Sequence, residues 1–461
     1  MTPEEFRRFG HEVVDWIADY SDRIREYPVL SRNRPGDLTR ALPPSAPETG
    51  EPMEAILSDF RDLIVPAITH WNHPAFLGYF GISGSEPGIL GEMLAAGLNV
   101  NGMLWKSSPA VTELEQVTLG WLRQWLGLPK DFFGVIYDTA STSTLHAVVA
   151  ARQMAVAPEM ARGNWEHLVL YCSEQAHSSV EKAAVTAGIG RCNVRTIAVD
   201  ENFRLRPELL SSAIEDDLRA GMQPFCVVAT VGTTAMASTD PVEQIADIAA
   251  RHGIWLHVDA AYGGSAAILP EMAHVMNGCA RAHSLVVNPH KWLLTPVDLS
   301  VFYTSRPDLL RRAFSLVPEY LRTGDGPEAI NLMDYGFQLG RRFRALKLWF
   351  VMRNYGREGL AAIIRGHLDL AQEFAGWVKN DDRFELCAPV DFSLVCFRYR
   401  GTDADNQKLL DAINRSGAAL LSHAVFGGRM VLRVAIGNYR TQREDLRRVW
   451  DCIGVLAGKL G

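Results

Sequence analysis

The sequence predicts an α/β protein with a mostly parallel sheet, a helical arm before it and a small α+β unit after it. Three observations carry that expectation. Short apolar runs at 135–137, 168–171, 194–199, 226–229 and 254–258 alternate with amphipathic stretches such as 242–251. Near-continuous apolar runs mark strands covered on both faces, and helices between them mark parallel crossovers. A helical run at 341–355 bearing Phe343, Leu346, Leu348, Trp349 and Phe350 then gives way to shorter elements: strands at 393–398 and 431–436, a helix at 403–416 and a closing helix from Thr441. At the other end, Thr2-Pro3-Glu4-Glu5 reads as a capping box with proline in the first turn. Phe6, Phe9, Val13, Trp16 and Tyr20 follow it at spacings of three and four, an apolar stripe that has to be covered.

The arm could pack on its own domain. The extended segment 34–52, with Pro35, Pro43, Pro44, Pro47 and Pro52, would carry it away from a compact body and favours a second subunit instead. The expected division is a helical dimerisation segment at 1–84, a large domain at 85–350 and a small C-terminal domain at 351–461.

Composition narrows the function. The 461 residues include 46 Lys+Arg and 53 Asp+Glu, a formal net charge of −7, with 48% hydrophobic and 21% charged residues. That is an ordinary globular composition, long enough to enclose an active site. No dense basic block is present, so neither nucleic acid nor an anionic membrane is an expected partner. Seven scattered cysteines without a CxxC pair argue against a disulfide framework or a zinc ribbon and for a reducing cytoplasm. The beginning, Met1 to Phe6, is polar and acidic rather than signal-like, and no apolar run reaches membrane-spanning length. His70 and His73 lack an acidic or cysteine partner nearby, and there is no HExxH, P-loop or strand-linked GxGxxG, so no metal is expected.

The chemistry lies after the predicted strands. The run 254–258 ends in Asp259-Ala260-Ala261-Tyr262, and further on comes Asn288-Pro289-His290-Lys291-Trp292. A strand-end acid and a lysine in a short turn are what pyridoxal phosphate needs: the amine forms a Schiff base, and the carboxylate keeps the pyridine nitrogen protonated so that the ring acts as an electron sink. Taken singly, the aspartate reads equally as a loop cap and the lysine as a surface residue. Asp138-Thr139-Ala140-Ser141 lies between a strand and a helix, where free N–H groups suit a phosphate, although a simple N-cap explains the same residues. Val231-Gly232-Thr233-Thr234 adds a hydroxyl-bearing turn, and His177 follows the run 168–171 as a candidate ring-stacking and proton-handling group, or a loop histidine satisfied locally.

These motifs, together with Thr69-His70-Trp71, 108–115, Gln175-Ala176-His177-Ser178-Ser179-Val180-Glu181 and Gly340-Arg341-Arg342-Phe343, resemble the group II pyridoxal phosphate-dependent decarboxylases, in the aromatic-L-amino-acid decarboxylase branch. The resemblance runs in order along nearly the whole chain. It implies an aspartate-aminotransferase-like fold (fold type I) with a mostly parallel seven-stranded sheet, and a homodimer. Lys291 would be the Schiff-base lysine, Asp259 the partner of the pyridine nitrogen and His177 the group over the ring. Ala140, Ser141 and Ser284 would hold the phosphate, and Thr234, Ala261, Asn288 and His290 would line the cofactor.

The resemblance also bears on product and substrate. The Gly/Pro-rich stretch 316–327 reads as a lid or as an ordinary surface loop. In the family its tyrosine, here Tyr320, gives the proton to Cα, whereas members with phenylalanine there tend to form an aldehyde. Tyr320 and His177 thus favour simple decarboxylation. Trp71, Tyr79 and Phe80 resemble the aromatic wall of the side-chain pocket, and Gly340 leaves room for an indole or a phenol. Ile82, within Gly81-Ile82-Ser83-Gly84, and Asn101 and Met103 depart from the animal pattern; Asn101 could bond a ring substituent or fill a subunit contact. The pocket would be completed by the second subunit. The competing readings are an aldehyde synthase, an aminotransferase with Arg433 as a carboxylate clamp, and a catalytically silent pyridoxal phosphate-binding protein.

Overall fold

The structure is a computed structural model describing residues 1–156, 165–316, 326 and 328–460. Seven strands form the main sheet: β1 (Phe133–Tyr137), β2 (Leu168–Ser173), β3 (Val194–Ile197), β4 (Gln223–Thr230), β5 (Trp255–Asp259), β6 (Ser284–Val287) and β7 (Ser300–Thr304). Their order is β1-β7-β6-β5-β4-β2-β3. Pairs β2/β3, β2/β4, β4/β5 and β5/β6 are parallel, while β7 runs antiparallel to both β6 and β1. Two reversals return β1 to the direction of β6. The carboxyl ends of β1, β2, β4, β5 and β6 therefore share one edge, where open α/β sheets gather their ligands.

Every residue of β2, β5, β6 and β7 is buried. Leu168, Leu170, Phe225, Val228, Trp255 and Phe302 join Ala147, Val148 and Ala151 of helix Ala140–Ala155 in one core cluster. This confirms the mostly parallel sheet read from the apolar runs. A second sheet, ordered β10-β11-β9-β8, comprises β8 (Phe384–Leu386), β9 (Leu394–Tyr399), β10 (Ser422–Phe426) and β11 (Arg429–Ala435). Its outer pairs are antiparallel. The helical run from 341 is longer than its pattern suggested: helical residues span Arg344–Lys379, broken at Gly356, whose φ of 64° lies outside the helical region.

The chain divides into two compact units. One holds 1–81, 374–387 and 396–461; the other holds 82–373 and 388–395. In the first, helix Pro3–Asp22 has the predicted capping box: Thr2 N–H donates to Glu5 Oε2 at 2.7 Å and Glu5 N–H to Thr2 Oγ1 at 3.2 Å. The arm's stripe is only partly covered within this unit. Trp16 lies edge-on to Phe60 at 4.8 Å and Tyr20 bonds His70 Nδ1 at 2.8 Å, while Phe6 stays 70% exposed. His73 Nδ1 accepts the Ala75 N–H at 2.9 Å, so both histidines have local structural partners. Among the described residues no helix is long and apolar enough to cross a membrane.

Candidate active site

The turns that follow β5 and β6 are tied together by the backbone. Ala260 N–H donates to Val286 O (3.0 Å), Asn288 N–H to Ala261 O (3.1 Å) and Lys291 N–H to Asn288 O (2.9 Å). Asp259, at the end of β5 and 6% exposed, accepts the Ala261 N–H at 3.1 Å. These bonds fix the lysine turn beside the acid. Burial pulls the Lys291 ammonium below its ordinary pKa, against the opposing pull of the Asp259 carboxylate. A shift in this direction favours the neutral, nucleophilic form of the amine.

His177 joins them from the turn after β2. Its pKa is lowered, chiefly by partial burial; Asp259 acts in the opposite direction, and Lys291 and Lys182 add to the lowering. Both members of the acid–lysine pair thus act on this ring, while His177 as a residue remains exposed. Beneath the pair, Tyr262 stacks on Trp292 at 4.7 Å and 13°. Tyr262 Oη lies 2.7 Å from Ser393 Oγ, and Trp292 Nε1 donates to His367 Nδ1 at 2.9 Å. The two aromatics directly follow the acid and lysine motifs, which is the sequence signal that could have revealed this support.

The helix Ala140–Ala155 begins at the same edge. Thr139 is its N-cap, accepting the Thr142 N–H at 3.4 Å, and Thr139 O takes Ser143 N–H. The Ala140 and Ser141 amides precede these bonds and belong to the first turn, which has no intrahelical acceptor. The Thr139 cap therefore leaves the Ala140 and Ser141 amides open to an anion. Thr234 is exposed in the turn after β4 and Ala261 is buried beside Asp259. His290 Nδ1 accepts the Leu299 N–H at 2.9 Å, and burial takes its pKa down to about 4. The side-chain amide of Asn288 meets His290 Nε2 at 3.3 Å through one end, while Oδ1 at the other is buried without a partner. A buried orphan of this kind is what a bound group would satisfy.

Ser284 does not reach this edge. It opens β6 in register with His257 rather than Asp259, fully buried, where Oγ accepts from Trp255 Nε1 at 2.9 Å and bonds His257 Nδ1 at 2.8 Å. Its hydroxyl is engaged inside the sheet, which removes it from the expected phosphate set. Tyr320 lies outside the described residues.

The expected substrate residues assemble in two groups, each within its own unit. In the first, Trp71 packs on Phe76 at 4.2 Å and stacks on Tyr79 at 5.7 Å and 13°, and the Arg433 guanidinium stands 5.5 Å from the Phe80 ring. Arg433 also donates to Ser422 Oγ at 2.7 Å. In the second, Asn101 Oδ1 accepts the Arg341 N–H at 3.0 Å, and Asn101 Nδ2 lies 3.8 Å from Met103 Sδ. A Cβ on Gly340 would meet only Asn101 Nδ2, at 3.7 Å. Ile82 is partly buried at the start of this unit.

The sequence reading missed what anchors that second wall. Buried Arg341 donates to Glu115 Oε1 (2.8 Å) and Ile136 O (2.7 Å), and Glu115 Oε1 also accepts the Ile136 N–H (2.8 Å). Removing one partner of a buried ion pair leaves a charge without compensation. Glu115→Ala is expected to lower unfolding stability by about 3–5 kcal/mol, read as a shifted urea midpoint; an unchanged midpoint contradicts the anchoring role.

A nucleophilic lysine, a strand-end carboxylate and a helix start with open amides at one edge of a mostly parallel sheet define the class: an enzyme using pyridoxal phosphate, whose needs these residues fit. Residues 35–400 match the family described as the pyridoxal-dependent decarboxylase conserved domain. A phenylacetaldehyde synthase from a Rosa hybrid cultivar is 42% identical over 98% of this chain and 94% of its own length. An aromatic-L-amino-acid decarboxylase from Catharanthus roseus is 41% identical over 100% and 95%. The crystal structure of Catharanthus roseus tryptophan decarboxylase in complex with L-tryptophan superposes with a TM-score of 0.95 at 40% identity, covering 100% of this chain and 99% of that one. The chain belongs to the pyridoxal-dependent decarboxylases.

Proposed function

We propose that this enzyme decarboxylates an aromatic L-amino acid, of the tryptophan, tyrosine/dopa or phenylalanine type, to the arylalkylamine and CO2. The stack of Trp71 on Tyr79, with Trp71 36% exposed and Tyr79 58% exposed, carries the substrate class. Two partly open aromatic rings offer a face to another ring, and the open space at Gly340 suits a bulky one. The names of the Catharanthus relatives point the same way.

When bound, pyridoxal phosphate withdraws the electron pair that the departing carboxylate leaves at Cα. The protein's residues do the rest. Lys291 supplies the amine that anchors the cofactor, kept reactive by burial. Asp259 would be the carboxylate partner of the pyridine nitrogen and would favour its protonated form. The amides of Ala140 and Ser141 receive the phosphate, with Thr234, Ala261, Asn288 and His290 around the cofactor. His177 covers the site and bonds the substrate carboxylate, and positioning that carboxylate decides which Cα bond breaks. On sequence grounds Tyr320 returns the proton to Cα. Trp71, Tyr79, Phe80, Ile82, Asn101, Met103 and Gly340 form the side-chain pocket.

The working form is proposed to be a cytoplasmic homodimer, with residues 1–84 as the dimerising segment, 85–350 as the cofactor domain and 351–461 as the small domain. The stripe left open at Phe6 supports the dimer, and the aromatic and Asn101 groups of the pocket would meet across subunits. A second reading, decarboxylation coupled to aldehyde formation, is favoured by the name of the Rosa relative; Tyr320 and His177 speak against it.

The test is to incubate the holoenzyme with tryptophan, 5-hydroxytryptophan, tyrosine, dopa, phenylalanine, histidine and glutamate, following CO2, amine, aldehyde and peroxide together. CO2 and amine in equal amounts from an aromatic substrate support the proposal. Equal CO2, aldehyde and peroxide select the second reading, and no CO2 from any aromatic amino acid overturns both.

A further inference from the structure

We infer that Ser179 is a positioning residue that holds His177 as a neutral imidazole with its proton on Nε2, so that this ring donates a hydrogen bond in the site and supplies no proton. The inference rests on the proposed placement of His177 over the cofactor. Its geometric basis is one nitrogen contacted twice: Ser179 N–H donates to His177 Nδ1 at 3.1 Å, and Ser179 Oγ lies 2.8 Å from the same atom. A backbone N–H can only donate, so Nδ1 must present its lone pair, and a neutral ring then carries its hydrogen on Nε2.

The local fold explains the contact. Ser179 is the first residue of helix Ser179–Thr186, and the N-cap Ser178 makes no side-chain capping bond. First-turn N–H groups lack intrahelical acceptors, and the imidazole two residues earlier takes one of them. The positive end of the helix also opposes a second proton on the ring. Ser179 is 2% exposed, which shields this side of the ring from water. The charged groups acting on the ring are Asp259, which favours a cation, and Lys291 and Lys182, which oppose it. Together with burial they leave the ring's pKa below the ordinary histidine value.

The chemical consequence follows from charge. A neutral imidazole donating from Nε2 orients a carboxylate yet places no full positive charge beside it. A full charge would stabilise the substrate's carboxylate more than the transition state, in which that charge is leaving, and would slow the reaction. Proton return to Cα then falls to another group.

The test is ring-nitrogen NMR on protein carrying 15N-histidine, with His177→Gln assigning the signal. In wild-type apo- and holoenzyme the account expects a single Nε2–H tautomer at neutral pH, taking up its second proton below the ordinary histidine value. In Ser179→Ala, which keeps the backbone N–H and removes the Oγ contact, it expects the Nε2–H tautomer to persist while the ring loses its fixed orientation, with a roughly tenfold fall in kcat and KM and melting temperature little changed. A wild-type ring that is protonated on Nδ1, or on both nitrogens, at neutral pH overturns the inference. So does Ser179→Ala that keeps full kcat. Full activity in His177→Gln would instead remove the ring from the site, and with it the reading on which this role rests, whatever the tautomer.

Discussion

Lys291→Ala is expected to lower kcat by about 10⁴-fold or more, the scale on which loss of one member of a cooperating catalytic set acts. The amine sits in a turn fixed by the Asn288 to Ala261 and Lys291 to Asn288 backbone bonds, which the substitution leaves intact. The protein should therefore fold and lose chemistry rather than structure. Lys291→Arg separates charge from nucleophilicity: the guanidinium stays protonated at every accessible pH, whereas the lysine amine is tuned downward by burial. Arginine should be as inactive as alanine. Single-turnover CO2 release measures both. Either variant retaining more than roughly a tenth of wild-type kcat would show that the amine is not the anchoring group.

Tyr320→Phe is expected to change the product rather than merely slow the enzyme. With the phenol present, the electron pair at Cα takes a proton and amine is released. Without it, the pair stays exposed to dioxygen, and the net reaction becomes amino acid + O2 + H2O → aldehyde + CO2 + NH3 + H2O2. Proton transfer by a placed side chain is worth about 10²–10⁴-fold, enough to decide between the two fates. Peroxide and ammonia should rise toward equality with CO2 in the variant and stay low in the wild type. A variant that releases only amine refutes the assignment of Tyr320.

The central sheet and the placement of Asp259, His177 and Lys291 at or after its strand ends were legible because their signals are local. Fully buried strands announce themselves as apolar runs: β2 and β4 contain the predicted stretches, and β5 lies one residue further along than its own. Asp259, His177 and Lys291 all follow strands that end at one edge. What sequence could not give was the direction in which a side chain is used. Ser284 has the right chemistry and neighbourhood for a phosphate ligand, yet it stands at the start of β6, bonded to Trp255 and His257. Likewise β8 and β10 are short, and β10 alternates intermediate and exposed positions, so no apolar run marks it. The Glu115–Arg341 pair joins residues distant in the chain, and no local pattern encodes it. The arm's capping box, by contrast, is written in four consecutive residues and appears as read.

The most direct test of the account is to reduce the holoenzyme with borohydride, digest it and locate the pyridoxyl group by mass spectrometry. The account predicts one modified peptide, carrying the group on Lys291, with labelling lost in Lys291→Ala. A label on another lysine, or labelling that persists in Lys291→Ala, would contradict it.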